Sequence, residues 1–313
     1  MTARASSDPG RTRLIWGATI LLTLVGLVFQ RAVGPTRPVR GEVQIAGRTV
    51  RYVLPRTHGG SDDCPVTIAD PDSQLQGWIL TRRYKTGDEW TTSPMTRAHG
   101  RLTGLVPHQP PGGKVLYKLF LGPPPAASGG GDGAIVETRV AVPLSGPVVV
   151  RFRGAVPAVI LGTHIFCMFL GMLWSNRAGV EALRRRPRLR RLTLLSFAFL
   201  LVGGLIFGPA VQWYSFGQAW TGYPNGTDLT DNKTLIAVLF WALAVAGVLL
   251  RRGAARAAAG GVADDREEMP TPWGPRGLVL LAALVTLVVF AVPHSVRGTE
   301  LDYSKLPASG QTR

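Results

Sequence analysis

Two hydrophobic patterns divide this chain. Residues 14–30, 154–176, 192–212, 234–250 and 277–296 contain no Asp, Glu, Lys or Arg, and apolar side chains continue around every face a helix would present. Each run is roughly 17–23 residues long, and a helix needs about 20 to cross about 30 Å of hydrocarbon. Residues 31–153 follow another rule. Short β-type runs (43–45, 49–54, 66–69, 75–84, 101–105, 114–121, 135–142 and 148–152) alternate with turn-forming clusters, which is the signature of short strands joined by turns. The pattern predicts a mixed membrane protein: five transmembrane α-helices, with an all-β sandwich inserted between helices 1 and 2.

Composition adds little until charge is placed along the chain. The net charge is +16, a value that by itself would suggest nucleic acid. The cations are not spread evenly, however. They fall before the first run (Arg4, Arg11, Arg13), between the second and third (Arg177, Arg184–Arg186, Arg188, Arg190, Arg191), and between the fourth and fifth (Arg251, Arg252, Arg256, Arg266, Arg276). Lys and Arg collect on cytoplasmic loops, so all three clusters fit one side with the N-terminus inside and the C-terminus outside. The expected order is a basic tail (1–13), helix 1 (14–30), outer β-sandwich (31–153), helix 2 (154–176), Arg-rich loop (177–191) and helix 3 (192–212). An outer aromatic loop (213–233), helix 4 (234–250), a cytoplasmic loop (251–276), helix 5 (277–296) and an outer tail (297–313) complete it. The partner implied is the lipid bilayer rather than nucleic acid, although Arg184–Arg191 also suits anionic lipid. Helix 1 reads as a retained signal anchor, because Val28-Phe29-Gln30 is no small-residue cleavage site. Cys64 and Cys167 lie in such different settings that no disulfide is expected.

Within the β-domain Tyr52, Trp78, Tyr84 and Tyr117 are bulky core candidates, and Pro123–Gly133 reads as a hairpin tip. The basic run Arg82, Arg83 and Lys85, with Tyr84, Asp88, Glu89 and Trp90, is either a binding face or a solvated strand edge. His58, His99 and His108 lack ligand spacing. No phosphate loop, nucleophile elbow or catalytic triad pattern is present in this domain. The phrase LTGLVPHQPPGGKVLYKLFL (101–120) resembles the E-to-F corner of fibronectin type III and immunoglobulin-like domains, with Leu105 and Tyr117 in the corner positions. That resemblance implies a fold and no activity.

Chemistry is concentrated elsewhere. His164 is the one ionisable side chain well inside a charge-free run, roughly 10 Å below the outer surface, and His294 lies near the outer end of the last run. A buried ionisable group in a membrane is costly and marks a candidate site. It is also explained by a neutral imidazole bonded to a backbone carbonyl, Thr163, Ser196 or Gln212. Between the histidines runs a loop holding Trp213, Tyr214, Phe216, Trp220 and Tyr223, followed by Asp228, Thr230, Asp231 and Asn232. Capping of helix 4 by Asp228 or Thr230, and an interfacial aromatic belt, account for much of this.

The stretch QAWTGYPNGTDLTDNKTLIAVLFW (218–241) resembles the tryptophan-rich outward loop of haem-handling proteins of cytochrome c biogenesis. Trp220, Gly222 and Asp228 or Asp231 match in order, while the compact Trp-x-Trp-Asp core is missing. The resemblance implies haem b, with His164 and His294 as iron ligands and Trp213, Trp220 and Asp228 around it. The whole chain also resembles a bacterial family of multi-pass membrane proteins with a β-sandwich after the first span. This implies the cytoplasmic (inner) membrane, and the sandwich and C-terminus outside it. Two functions therefore stand: an accessory or assembly protein whose sandwich docks a membrane or extracytoplasmic protein, and a haem-binding module for electron transfer, haem delivery or cytochrome maturation. A proton relay through His164, Asp228 and Asp231 ranks third, because no carboxylate lies within a charge-free run.

Overall fold

The computed structural model describes residues 9–34, 36–124, 139–184, 187–258, 271–292 and 301–303. The expected basic tail up to residue 8, Arg185, Arg186, Arg266, most of the Pro123–Gly133 tip, residues 135–138, His294 and the end of the outer tail lie outside the described residues. The chain forms two compact units. A helical unit takes Met1–Gly34, Val156–Trp213 and Gln218–Gly298, and a β unit takes Pro35–Ala155, Tyr214–Gly217 and Thr299–Arg313.

In the β unit, strands form where apolar residues alternate, and turns form where the backbone must reverse. Strands β1 (Val39–Ile45) and β2 (Arg48–Leu54) pair antiparallel, from Val39 against Leu54 to Ile45 against Arg48. Ala46 (φ 48°) and Gly47 (φ 78°) form the two-residue turn between them, the left-handed pair that matches strand twist in a tight hairpin. Further along the chain come β3 (Thr57–Gly59), β4 (Cys64–Ala69), β5 (Gln76–Arg83), β6 (Thr91–Pro94) and β7 (Thr96–Ala98). They are followed by β8 (Arg101–Val106), β9 (Lys114–Gly122), β10 (Val140–Val142) and β11 (Val148–Arg153). One sheet has the order β3-β11-β9-β5-β6, and β4-β8-β7 forms another. Along one edge of β9, β11 pairs with Lys114–Tyr117 and β10 with Leu119–Leu121.

Residues from all three sheets, among them Ile45, Leu54, Val66, Ile79, Tyr117 and Val150, share one buried apolar core. Tyr117 is fully buried in the middle of β9, and its hydroxyl donates to the Pro55 carbonyl at 2.7 Å. Leu105, near the end of β8, is 52% exposed. Asp70 ties the unit's connections. Its carboxylate accepts from the N–H groups of Gln74 (3.0 Å) and Leu75 (3.1 Å) and from Arg97. Burial pushes this carboxyl up, but those donors outweigh it and hold it below the usual carboxylate range.

Five helices are long and apolar enough to cross a membrane: Thr12–Val33, Ala158–Ala182, Arg190–Phe216, Leu229–Arg251 and Trp273–Ala291. They belong to α1 (Pro9–Val33), α2 (Ala158–Ala182), α3 (Arg190–Leu200), which runs through a π-helical stretch (Leu201–Phe207) into α4 (Gly208–Phe216), α5 (Leu229–Ala258) and α6 (Trp273–Ala291). Polar contacts join these helices, while Trp174 Nε1, Ser175 Oγ and Thr193 Oγ1 are buried without a hydrogen-bond partner among the described residues. Asn176 donates to Thr23 Oγ1 at 3.0 Å, joining α2 to α1. The fully buried Trp241 donates to Thr286 Oγ1 at 2.8 Å, joining α5 to α6.

All five membrane helices extend beyond their charge-free runs. α2 continues past Asn176 to Ala182 and carries Arg177 and Glu181 into buried positions, so His164 is not the one ionisable group inside the helical unit. Arg177 and Arg184 both donate to Glu181, at 2.8 Å and 3.2 Å. Arg276 of α6 donates to the Ala182 carbonyl through Nε and Nη2, and to that of Arg184 at 2.7 Å. A cation thereby closes the negative end of α2, where the last carbonyls have no partner within the helix. The third membrane helix runs on to Phe216, and α5 begins at Leu229, taking Asp231, Asn232 and Lys233 into its first turns.

Candidate functional site

His164 lies on α2 opposite the π-helical stretch, and glycines bring the two elements together. A Cβ on Gly203 would come within 2.8 Å of Cys167 Cβ, and one on Gly171 within 2.8 Å of the Leu200 side chain. At this approach the Gly203 carbonyl accepts two donors. One is the Gly208 N–H, five residues on, which defines the widened turn. The other is His164 Nδ1, at 2.9 Å. A carbonyl oxygen can only accept, so the imidazole carries its proton on Nδ1. In the neutral ring, Nε2 then bears the lone pair. The partner is thus the backbone, whereas Ser196 donates to Leu192 and Gln212 to Thr221 and Asp231.

The aromatic stretch divides in two. Trp213 ends one segment of the helical unit and is 58% exposed, while Tyr214–Gly217 belongs to the β unit. There the Ser215 carbonyl accepts from the Gly154 N–H, and Arg151 stacks on Phe216 at 3.9 Å. The remainder, from Gln218 to Asp228, folds onto the start of α5. Asp231 Oδ2 accepts from the N–H groups of Thr221 (2.6 Å) and Gly222 (3.0 Å), from the Thr221 hydroxyl (3.2 Å) and from Gln212 Nε2 (3.2 Å). Asn232 Oδ1 takes the Tyr223 N–H at 2.6 Å, and Trp220 Nε1 donates to the Tyr223 carbonyl at 2.9 Å.

Asp228 is the cap of α5. Its Oδ1 accepts from Thr230 N at 2.7 Å and Asp231 N at 3.3 Å, the second and third residues of the helix. Of the two residues considered for this role, Asp228 fills it, and Thr230 supplies an N–H to it. Lys233 reaches the other way and donates to the Val292 carbonyl at 2.6 Å, closing the end of α6. Asp228, Asp231 and Lys233 are all buried.

The structure therefore joins Trp220 to Tyr223 and Asp228 to its own helix, and gives His164 a backbone partner. It leaves Trp213 open to the surroundings, and His294 is outside the described residues. Among the described residues no three His, Cys, Asp or Glu side chains gather as a metal site. His99 (φ 49°) and Gly100 (φ 69°) form the hairpin turn between β7 and β8. The rings of His58 and His108 meet the Phe152 ring edge-on at 5.7 Å and 5.5 Å. Arg177, Glu181 and Arg276 were assigned to loops by their charge. The available signal was the four-residue spacing of Arg177 and Glu181, which suits a continuing helix.

The basic run of the β unit is also resolved into parts. Arg83 forms a paired contact with Asp88, with Nη2 at 2.9 Å from Oδ1, and this holds the Asp88 carboxyl below its usual range. β5 is flanked by β9 along its length and by β6 only at Trp78–Thr81, so Arg82 and Arg83 pair with β9 alone. No known family model, curated protein or solved structure matches the chain.

Proposed function

We propose that this protein is a non-enzymatic accessory or assembly subunit of a complex in a bacterial cytoplasmic (inner) membrane. In this reading the N-terminus is inside and the C-terminus outside. The β unit is an extracytoplasmic immunoglobulin- or fibronectin III-like sandwich that docks a protein partner. One observation carries it: the buried ionisable groups of the helical unit serve its own architecture. Asp228 caps α5, Lys233 closes α6, Arg276 closes α2, Asp231 fastens the loop, and Glu181 holds two arginines. The close approach at Gly171 and Gly203 suits helix association in lipid, where small residues let backbones meet. Native electrophoresis of membranes solubilised in mild detergent tests the reading. A discrete species heavier than the chain and its detergent, unchanged by His164→Ala, is expected. A single chain at native expression levels overturns it.

A second reading is favoured by His164. An imidazole oriented by Nδ1–H donation to a backbone carbonyl presents Nε2 to a metal, the arrangement common to metal-binding histidines. Haem b would supply one-electron redox chemistry there, with His164 as one axial ligand and His294 proposed as the other. Absorption spectra of oxidised and dithionite-reduced protein decide it. A Soret band lost in His164→Ala supports haem, and colourless protein from haem-replete cells refutes it.

A further inference from the structure

The outward face of the β3-β11-β9-β5-β6 sheet has a chemistry that the architecture does not require. Strand register places Trp78 beside Phe120, Leu80 beside Lys118, and Arg82 beside Leu116, with all six side chains half-buried on one face. Three cations of this region rest on aromatic rings. Arg139 Cζ lies 3.6 Å from the centre of the Trp78 ring. Arg82 Cζ and Lys118 Nζ lie 4.9 Å and 5.1 Å from that of Trp90, and Lys118 is also 5.1 Å from Phe120.

Stacking on a ring orients a guanidinium without using its in-plane N–H groups. Those groups have no assigned use here. Nε of Arg82 and of Arg139 are buried without a hydrogen-bond partner, and among the described residues neither arginine nor Lys118 enters an ion pair. The residues that register sets on the face in β5, β6 and β9 include no Asp or Glu. The nearby Asp88 is ion-paired to Arg83 and is also within electrostatic range of Arg82. A β unit that needed these cations only for stability would gain by pairing them with carboxylates, as it does for Arg83 and Arg97.

We propose that this face docks an acidic segment of a partner protein, with Arg82, Arg139 and Lys118 receiving its carboxylates. The proposal rests on the accessory reading and names the chemistry of the partner. Guanidiniums already oriented by Trp78 and Trp90 lose little freedom when they donate two N–H groups to one carboxylate. Because the donors are partly desolvated, the contact discriminates against neutral segments as well as attracting acidic ones.

The probe is a fluorescent oligoglutamate peptide of about ten residues, titrated against the full-length protein in detergent at about 50 mM salt. Two triple variants accompany the wild type. One neutralises the face (Arg82→Gln, Lys118→Gln, Arg139→Gln). The other keeps its charge (Arg82→Lys, Lys118→Arg, Arg139→Lys). Binding should weaken about 30-fold or more in the neutral variant and about tenfold or less in the charged one, whose lysines keep the charge but lose the planar fork. Three results overturn the proposal: no wild-type binding, neutral-variant affinity within about threefold of wild type, or equal loss in both variants, which reports folding and not charge. Vesicles containing anionic lipid form a parallel arm, and face-dependent binding to them without peptide binding also overturns it. Native electrophoresis of the neutral variant separates the two claims. If the heavier species persists while the peptide result fails, the accessory reading stands and this face is not its docking site.

Discussion

Asp231→Ala removes an anion on which the loop before α5 converges. Four donors meet one carboxylate oxygen, at 2.6, 3.0, 3.2 and 3.2 Å. Two of them are rescued readily, since the Thr221 hydroxyl can rotate and Gln212 keeps its bond to that hydroxyl at 2.8 Å. The N–H groups of Thr221 and Gly222 cannot follow, and the latter bond is buried. Hydrogen bonds to a charged group contribute about 1.5–3 kcal/mol each, so losing both costs the closed loop roughly 3–6 kcal/mol. At about 1.4 kcal/mol per factor of ten, the opening equilibrium shifts at least about a hundredfold. Hydrogen exchange on the full chain in detergent reads this at the Thr221 and Gly222 amides. Asp231→Asn keeps a carbonyl oxygen for both N–H groups and loses only the charge, so it should accelerate exchange about tenfold. Exchange within about threefold of wild type in both variants would refute the reasoning, because the carboxylate would then not be what holds the loop.

Acid should weaken the β unit through Asp70. Its folded pKa is depressed, so its stabilisation is present above the ordinary carboxylate value of about 4 and is lost as pH falls through the lower folded value. Thermal unfolding against pH should show a smaller acid-dependent loss in Asp70→Asn than in wild type; parallel curves would exclude Asp70 as the titrating group. Trp241→Phe removes the bond to Thr286 and leaves space between α5 and α6. A loss of about 1–3 kcal/mol is expected from unfolding in mixed micelles, and none would mean the helices repack. Ala46→Asn places a residue that tolerates left-handed backbone in the β1–β2 turn, where φ is 48°. It should raise stability by about 0.5–1 kcal/mol in the same assay, and a loss would show that the turn does not limit the hairpin.

The five membrane helices were legible because a long apolar run in lipid has few other ways to satisfy its backbone, whatever its neighbours do. The longer strands were legible for a similarly local reason. β2, β4 and β8 alternate buried and more exposed side chains, and β9 buried and half-buried ones, and that alternation is written in the residues themselves. Strands β6 and β7 escaped notice because every residue in them is exposed apart from any core, leaving no periodicity to read.

The candidate site was legible as a collection and not as an arrangement. The polar run Asp228–Lys233 carries five side chains able to cap, bond a loop or titrate, and composition assigns none of those tasks. Asp228 became the cap because it lies one residue before the first helical turn, while Asp231, three residues on, points back to Thr221 and Gly222. Lys233 faces the end of a helix some sixty residues away, at Val292. His164 shows the same division. Its burial could be inferred from the surrounding apolar residues, but its Gly203 partner depends on a widened turn in another helix. What this sequence determined alone were the elements, since helix and strand periodicities are local properties. What only the tertiary structure decided was that Lys233 closes α6 and Arg276 closes α2, because those bonds join residues that folding, and not sequence, makes neighbours.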